Sequence, residues 1–333
     1  CYNRDLASEV SPAQQAIFDM GHEVGRLATQ LYPGGVLIEE DHMHHKEAVQ
    51  STLSAMKDTN VAAIYEAAFI SDGVRIRVDI LERLNDGAWN LIEVKSATSV
   101  KDLYLPDVAV QYHVLKGSGL NINRAGILHV NNQYVYDGNN LELDGLFTFS
   151  DLTEEILDLQ NEITSQLAGL KEMLAETNPP EIYPSKDCIN PYKCGFWEHC
   201  TAEMPKYWVM RLGGISQTTF NQLVEMGIED IAQIPDSFPL SALQSKMRAC
   251  VANRKEYIDP DLLDELIDVE YPIHFLDFET MGTAIPRYAG TRPYQTIPFP
   301  WSDHIFYEDG TLEHQEYLCD EDKDPREEFA STL

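Results

Sequence analysis

The sequence is poor in basic residues and in cysteine, and it contains no long hydrophobic run. Its apolar stretches all fall short of about 18 residues, which excludes a membrane-spanning helix. The first residues, CYNRDLASEV, lack the basic and then apolar layout of a secretory signal, so we expect a cytoplasmic protein. Because the chain begins with Cys1 and not with Met, we expect a fragment of a longer product.

Six cysteines in 333 residues are too few for a disulfide-stabilised scaffold, so clustered cysteines are better interpreted as metal ligands. The charge is one-sided, since 55 Asp and Glu oppose 24 Lys and Arg and give a net charge of −31. Such a surface repels polyphosphate at long range, which argues against a protein that coats nucleic acid. It does not exclude an enzyme that binds nucleic acid locally through metal ions. Salt adaptation or solubility explains the acidic surface better than an acidic functional role.

Apolar periodicity predicts a mixed α/β protein. Helical spacing predicts helices over 12–32, 46–58, 105–119 and 150–175. Alternating or continuous apolar runs between turn signals predict strands over 61–70, 73–84, 89–97, 125–132 and 133–138. Strands followed by a helix and a further strand are typical of a mixed sheet. After a proline-rich stretch and several short helices, HFLDFETMG starts a second β pattern.

Charged residues interrupt two of the predicted apolar strands. Asp79 lies within IRVDIL, and Glu93 and Lys95 follow in IEVK. Because side chains alternate along a strand, Glu93 and Lys95 point to the same side, and a turn can bring Asp79 beside them. Two such carboxylates can hold Mg²⁺ or Mn²⁺, while a lysine reaches the attacking water or the phosphate. For an isolated ExK pattern, however, an outward-facing salt bridge is the commoner explanation.

The segments GVRIRVDIL, IEVKSATS and DVAVQYHVL, in this order, resemble the PD-(D/E)XK nucleases, in the branch of RecB-type and Cas4-like enzymes. The resemblance implies a restriction-endonuclease-like fold, with a mixed sheet and flanking helices. It implies that Asp79, Glu93 and Lys95 are the catalytic residues, that Mg²⁺ or Mn²⁺ is the cofactor, and that Gln111 lies close to the site. The implied partner is DNA, as a single strand or a free end.

Two positions depart from the pattern of these nucleases. An aromatic residue often follows the glutamine by four positions, where this chain has Leu115; Tyr112 is the nearest alternative. Many relatives carry a metal-binding histidine in a GxxxH motif on the first helix, where this chain has Gly25. Either His22 substitutes as a ligand, or the metal has one protein ligand fewer. Glu66 is a further candidate metal ligand, and a plain strand-edge carboxylate is an equal alternative.

Three cysteines lie in a proline-rich segment with aromatic neighbours: Cys188, Cys194 and Cys200. Three thiolates need a soft cation or a cluster and a fourth ligand, and the CxxC spacing of common zinc sites is absent. Resemblance to the Cas4-like branch implies a [4Fe–4S] cluster that also binds Cys1 and pins together the two ends of the domain. Zn²⁺ with His199 as fourth ligand, or three buried free thiols, are the alternatives.

The second β pattern carries Asp277 and Glu279 on one face of a strand. This pair resembles the first motif of DnaQ-like (DEDD) 3′–5′ exonucleases, whose ribonuclease H-like fold uses these acids to bind catalytic metals. The following AIPRYAGTRPYQTIPFPWSDHI resembles the bacterial family DUF2779, which typically follows a Cas4-like part. Because the chain ends before further acids of such a set, we expect this domain to be incomplete. A strand with a packing extension is the alternative.

The resemblances imply three parts: a Cas4-like nuclease domain (1–210), a helix-hairpin-helix-like helical connector (211–268) and the beginning of a DnaQ-like domain (269–333). They imply a divalent-metal-dependent deoxyribonuclease, exonucleolytic in action, that works in DNA repair or defence, with protein partners in such a complex. Two other functions fit the same features. One is a catalytically silent module that binds DNA ends, and the other is a scaffold with a structural cluster.

Overall fold

A computed structural model describes residues 3–333. They divide into two compact units. The sheet unit consists of Pro12–Ala175 and Pro272–Leu333, and the helical unit consists of 3–11 together with Glu176–Tyr271. The predicted domain boundaries at 210 and 268 are not tested by this division, which falls at other positions. Cys1 lies outside the described residues.

Along the chain, the helices of the helical unit lie between two parts of the sheet unit. The first part of the sheet unit contains α1 (Pro12–Ala28), β1 (Gly35–Leu37), α2 (His45–Lys57), β2 (Ala63–Ser71), β3 (Val74–Arg83), β4 (Trp89–Lys95), α3 (Leu105–Gly117), β5 (Ile122–Val130), α4 (Leu143–Leu146), β6 (Phe147–Asp151), α5 (Thr153–Asp158) and α6 (Gln160–Ala175). The helical unit contains α7 (Trp197–Cys200), α8 (Gln217–Glu225), α9 (Ala242–Asn253) and α10 (Leu262–Ile267). The second part of the sheet unit contains β7 (Ile273–Met281), β8 (Ile297–Phe306), β9 (Leu312–Leu318) and α11 (Arg326–Thr332).

The first six strands form one mixed sheet in the order β1-β2-β3-β4-β5-β6. The pairs β1/β2 and β4/β5 are parallel, and the other neighbours are antiparallel. A parallel pair needs a crossover connection, which α2 and α3 provide here. The predicted mixed α/β class is therefore confirmed.

The central strands are buried on both faces, which explains their nearly continuous apolar sequences. In β4 and β5, Leu91 and Ile127 join the core that includes residues of α2, α3, α5 and α6. Their neighbours Ile92 and Leu128 join a second core, to which α1 contributes Val24 and Ala28. Helices thus cover both sides of the sheet, and α1 lies on the side opposite to α3.

One predicted strand is wrong, and two strands of the first sheet, β1 and β6, were not predicted. Residues 133–138 form a turn and loop, because Asn131 accepts hydrogen bonds from the amides of Gln133 and Tyr134 and turns the chain. The end of β6 was interpreted as a helix start at Ser150. The helix begins instead at Thr153, whose amide donates to the Asp151 carboxylate at 3.1 Å.

The second part of the sheet unit adds an antiparallel sheet, β7-β8-β9, and thereby confirms the second β pattern. Between β7 and β8, the loop 282–296 packs onto the first sheet. Ala284 in this loop is fully buried in the same core as Ile80 and Ile92. The amide of Gly290 and the carbonyl of Thr291 exchange hydrogen bonds with the backbone of Tyr136.

The helical unit has a core of its own. Trp208 lies at its centre, with the rings of Tyr183, Trp197 and Phe220 within about 6 Å of its ring centre. Two helices begin at serine N-caps, since Ser216 accepts from an α8 amide and Ser241 from an α9 amide. The short helices predicted over 213–256 are therefore confirmed.

Candidate active site

Strands β3 and β4 bring the predicted carboxylates and lysine together. Asp79 on β3 accepts a hydrogen bond from the backbone amide of Val94 on β4 at 2.7 Å. On β4, the Lys95 ammonium donates to Glu93 at 2.6 Å. The predicted turn between these two strands and the common side of Glu93 and Lys95 account for this arrangement.

Helix α3 completes the polar network from one side. The amide group of Gln111 donates to the second carboxylate oxygen of Glu93 at 2.7 Å. Lys95 donates to Asp107, also on α3, at 2.8 Å. Both oxygens of Glu93 are therefore occupied, one by an ammonium and one by an amide, which fixes the orientation of this buried carboxylate.

The sheet is irregular at the position of Asp79. Glu66 on β2 and Asp79 on β3 both lie between the register pairs Tyr65/Ile80 and Ala67/Val78, and Glu66 has a left-handed backbone with a φ of 55°. On one side of the irregularity, Tyr65 and Ile80 contact the core to which α1 contributes. On the other side, Ala67 and Val78 belong to the core to which α3 contributes. A left-handed glutamate is strained, and such strain is concentrated at functional sites. The irregularity turns both carboxylates toward one cleft.

This cleft has a volume of about 710 Å³. Its walls come from α1, β2, β3 and β4, and the acidic, basic and histidine side chains that line it are His22, Arg26, Glu66, Asp79, Glu93 and Lys95. Gln111 does not line the cleft but is buried behind Glu93, to which its amide group donates. Tyr112 and Leu115 are buried in the core and do not reach the cleft.

Burial and mutual repulsion shape the electrostatics of the carboxylates. Asp79 keeps part of its surface open to the cleft, but the protein around it desolvates the carboxylate. This desolvation and the charge of Glu93 raise the pKa of Asp79 well above its ordinary value. Burial also raises the pKa of Glu93, although Lys95 acts in the opposite direction. A divalent cation between the two carboxylates would relieve this repulsion.

Lys95 remains protonated in this arrangement. Burial alone would lower the pKa of Lys95, but the charge of Glu93 and the hydrogen bonds to Asp107 and Glu93 outweigh it and raise the pKa. The lysine can therefore donate hydrogen bonds to an anionic oxygen. It is not suited to remove a proton from water while these partners hold it.

The donor set fits a hard divalent cation. Within residues 3–333, no three His, Cys, Asp or Glu side chains are grouped as a metal site by themselves. Mg²⁺ is usually bound through one or two carboxylates, with water and substrate phosphate completing its shell, and Asp79 and Glu93 meet that requirement. Glu66 is held by Arg77 at 3.1 Å, and His22 is exposed on α1. These two remain candidate ligands.

Two details of the site were not predicted from the sequence. Asp107, the second partner of Lys95, lies four residues before Gln111, and this i, i+4 spacing on a helix was the available signal. The carbonyl oxygen of the Gln111 amide is buried and has no hydrogen-bond partner among the described residues. A buried acceptor of this kind normally binds a donor, for example water.

The cysteine segment belongs to the helical unit. Cys188, Cys194 and Cys200 are free thiols, of which the last two are exposed. The amide of Cys194 donates to the carbonyl of Cys188 at 2.7 Å, which closes a loop between them. The amide of Ser8 donates to the carbonyl of Gly195 at 2.8 Å, so the N-terminal segment lies against this loop. The predicted ligand Cys1 lies outside the described residues.

Residues 274–333 match the model of a domain of unknown function, DUF2779. No curated protein and no solved structure matches the chain. The match covers β7, β8, β9, α11 and the loop 282–296, which packs onto the core beside the cleft. Residues 3–333 include no helix that is both long and apolar enough to cross a bilayer.

The predicted second pair of acids lies within the DUF2779 region. Asp277 and Glu279 are on β7 and are exposed. Asp277 is paired in register with Ser302 on β8, whereas Glu279 lies at the register shift between Phe278 and Thr280. The described residues provide no third acid or histidine that forms a metal site with them.

Proposed function

We propose that this protein is a divalent-metal-dependent nuclease that hydrolyses phosphodiester bonds in DNA, with a PD-(D/E)XK fold in its sheet unit. The observation that carries the proposal is the meeting of Asp79, Glu93 and Lys95 in one cleft. Three charged groups in the middle of apolar strands are costly unless they serve a function. The resemblance of the three sequence segments supports the same assignment.

In this proposal Asp79 and Glu93 hold Mg²⁺ or Mn²⁺, with Glu66 and His22 as further candidate ligands. The bound cation supplies charge neutralisation at the phosphate and lowers the pKa of coordinated water. Lys95 donates hydrogen bonds to an anionic oxygen of the reacting phosphate, since it is protonated. Gln111 keeps Glu93 in one orientation, and Asp107 holds the lysine beside it.

A DNA-binding module without catalysis is the alternative function. Such a module needs an accessible positive surface, and it does not need two carboxylates whose charges repel each other in a cleft. The raised pKa of Asp79 therefore favours the enzyme.

Cleavage of linear DNA with Mn²⁺ separates the two functions. We expect wild-type protein to degrade end-labelled DNA and Lys95→Ala to be slower by on the order of 10²-fold, as for the loss of one donor at a developing charge. Lys171→Ala is the matched control, because Lys171 forms an exposed ion pair with Asp72 on the sheet unit. Wild-type activity in Lys95→Ala, or no Mn²⁺-dependent cleavage by wild type, would favour the module.

We also propose a [4Fe–4S] cluster bound by Cys1, Cys188, Cys194 and Cys200. The contact between Ser8 and Gly195 supports it, because the segment that follows Cys1 is held at the cysteine loop. The three described cysteines of this set are free thiols, and Cys194 and Cys200 are exposed, so they are available as ligands. Zn²⁺ with His199 is the alternative occupant.

For the DUF2779 region we propose a second metal site at Asp277 and Glu279, as the first motif of a DnaQ-like domain. The support is the sequence HFLDFETMG on an exposed strand of an antiparallel sheet. The described residues do not complete this site.

A further inference from the structure

Helix α1 forms one wall of the cleft with a single face. Its lining residues are Gly21, His22, Gly25 and Arg26, and Thr29 lines the cleft directly after the helix ends. Their spacing of three or four residues places them side by side along the helix. The same helix contacts the sheet through Val24 and Ala28, so its position beside the carboxylates is fixed by packing.

Among residues 3–333, Arg26 is the cation of this cleft that has no protein partner. Lys95 is held by Glu93 and Asp107, whereas the Arg26 guanidinium makes no ion pair or side-chain hydrogen bond with any of residues 3–333. The chain has 55 acidic and 24 basic residues, so the lack of a partner for Arg26 does not reflect a shortage of carboxylates in the chain. An exposed, unpaired arginine next to a proposed phosphodiester-cleaving site is therefore available for the substrate.

The neighbouring glycines leave room along the wall. A Cβ added at Gly21 or at Gly25 would meet no heavy atom within 4 Å. Glycine is less favourable than alanine inside a helix, and no neighbouring atom in the protein requires it at these two positions. The space beside the helix backbone opens toward the cleft, where a nucleic-acid strand can approach closely.

We propose that Arg26 binds a backbone phosphate of the DNA strand, next to the phosphate at Asp79, Glu93 and Lys95, with the strand along the glycine face of α1. The guanidinium fork matches the oxygens of a phosphate in two parallel hydrogen bonds. This inference rests on the proposed nuclease function. The three carboxylates of the cleft already accept hydrogen bonds from other residues, so they do not compete with the phosphate for Arg26. The donors are Val94 to Asp79, Gln111 to Glu93 and Arg77 to Glu66.

Binding and cleavage measured side by side test this proposal. Binding of a fluorescent single-stranded DNA is followed by anisotropy in Ca²⁺ over a series of salt concentrations, and cleavage is followed in Mn²⁺. For Arg26→Gln we expect about tenfold weaker binding, as for the loss of a charge-assisted contact. The slope of log K against log salt should fall by about 0.7, the value for one phosphate of a single strand. Arg26→Lys should keep the slope and lose part of the affinity.

Arg75→Gln is the matched control, because Arg75 is an exposed arginine of β3 that does not line the cleft. Wild-type affinity and slope in Arg26→Gln, an equal loss in Arg75→Gln, or no DNA binding by wild type would each overturn the proposal. Arg26-dependent binding without any cleavage would instead count against the nuclease function and leave the phosphate contact standing.

The glycine face has a separate test. Gly25→Ala should raise the melting temperature, since alanine favours a helix and its Cβ has space, yet it should weaken DNA binding. Gly169→Ala on α6 is the control, because a Cβ there also meets nothing within 4 Å. It should raise the melting temperature without any change in binding. Wild-type DNA affinity in Gly25→Ala would remove the glycine face from the proposed path of the strand.

Discussion

At the scale of single residues, the environment of Asp79 disfavours its ionised form, and a bound cation would favour that form. Desolvation and the charge of Glu93 both raise its pKa. A carboxyl group with a higher pKa in the folded chain binds more protons when folded than when unfolded. The stability that protonation provides is therefore present at low pH and is lost as the pH rises from the unfolded pKa toward the folded pKa.

We predict that Asp79→Asn makes the metal-free protein more stable at neutral pH. The asparagine oxygen can still accept from the Val94 amide, while the repulsion from Glu93 disappears. In EDTA, the melting temperature of the variant should exceed that of wild type at pH 7, and the gap should close as the pH falls toward 4. Parallel melting curves for both proteins over this range would contradict the electrostatic description of the site.

The sequence predicted the meeting of Asp79, Glu93 and Lys95, because it depends on strand alternation and one turn. It did not predict the partners that come from other elements. Asp107 reaches Lys95 only through the packing of α3, and Arg26 lines the cleft only through the packing of α1. The left-handed backbone of Glu66 has no sequence signal, since a strand residue other than glycine is expected to be extended.

At the scale of elements, the loop 282–296 of the DUF2779 region contacts the end of β4. The Tyr294 hydroxyl donates to the carbonyl of Ser96, the residue after Lys95, at 2.5 Å. Ala284 and Tyr294 join the core that also contains Ile80 and Ile92. The loop therefore supports the strand that carries the catalytic candidates.

We predict that Tyr294→Phe lowers the free energy of unfolding by about 1 kcal/mol, the usual net value of one hydrogen bond. Because the end of β4 is less well held, the rate of Mn²⁺-dependent cleavage should also fall. Tyr307→Phe is the control, since the Tyr307 hydroxyl donates to the exposed Glu313 on β9. Equal stability and equal cleavage in Tyr294→Phe and wild type would contradict the supporting role of the loop.

The cysteine loop has its own test. If the cluster is present, protein purified without oxygen should be brown, absorb near ~400 nm and contain about four irons per chain. Cys194→Ser should remove the colour and loosen the contact between the N-terminal segment and this loop, because ligation contributes folding free energy. Colourless protein with about one zinc per chain, the content of a structural zinc site, would exclude the iron–sulfur proposal.

Element prediction succeeded where apolar runs lie between clear turns and failed where local signals conflict. The strands β2, β3, β4 and β5 follow their apolar runs. Residues 133–138 have the alternating pattern of a strand. They form a loop instead, because of the turn at Asn131 and the backbone hydrogen bonds between Tyr136 and the loop 282–296. The strand β6 was not predicted, because Ser150 and the following glutamates have the pattern of a helix N-terminus. The pairing of β6 with β5 is a long-range contact, which local sequence patterns do not indicate.

At the scale of the whole molecule, the net charge of −31 affects both stability and association. Like charges repel one another in the compact state, and salt screens them. We predict that the melting temperature rises by a few degrees, on the order of 1 kcal/mol, between about 0.05 and 1 M NaCl. Differential scanning fluorimetry measures this directly. A melting temperature that falls with salt would show that attractive ion pairs outweigh the net repulsion.

The central claim is that Asp79, Glu93 and Lys95 form a metal-dependent nuclease site, and Asp79→Asn tests it most directly. The measurement is the single-turnover rate of cleavage of an end-labelled linear DNA against Mn²⁺ concentration. We predict a rate that rises and saturates for wild type, and a rate lower by on the order of 10³-fold for a variant that folds normally by circular dichroism. Equal rates for the two proteins would contradict the claim.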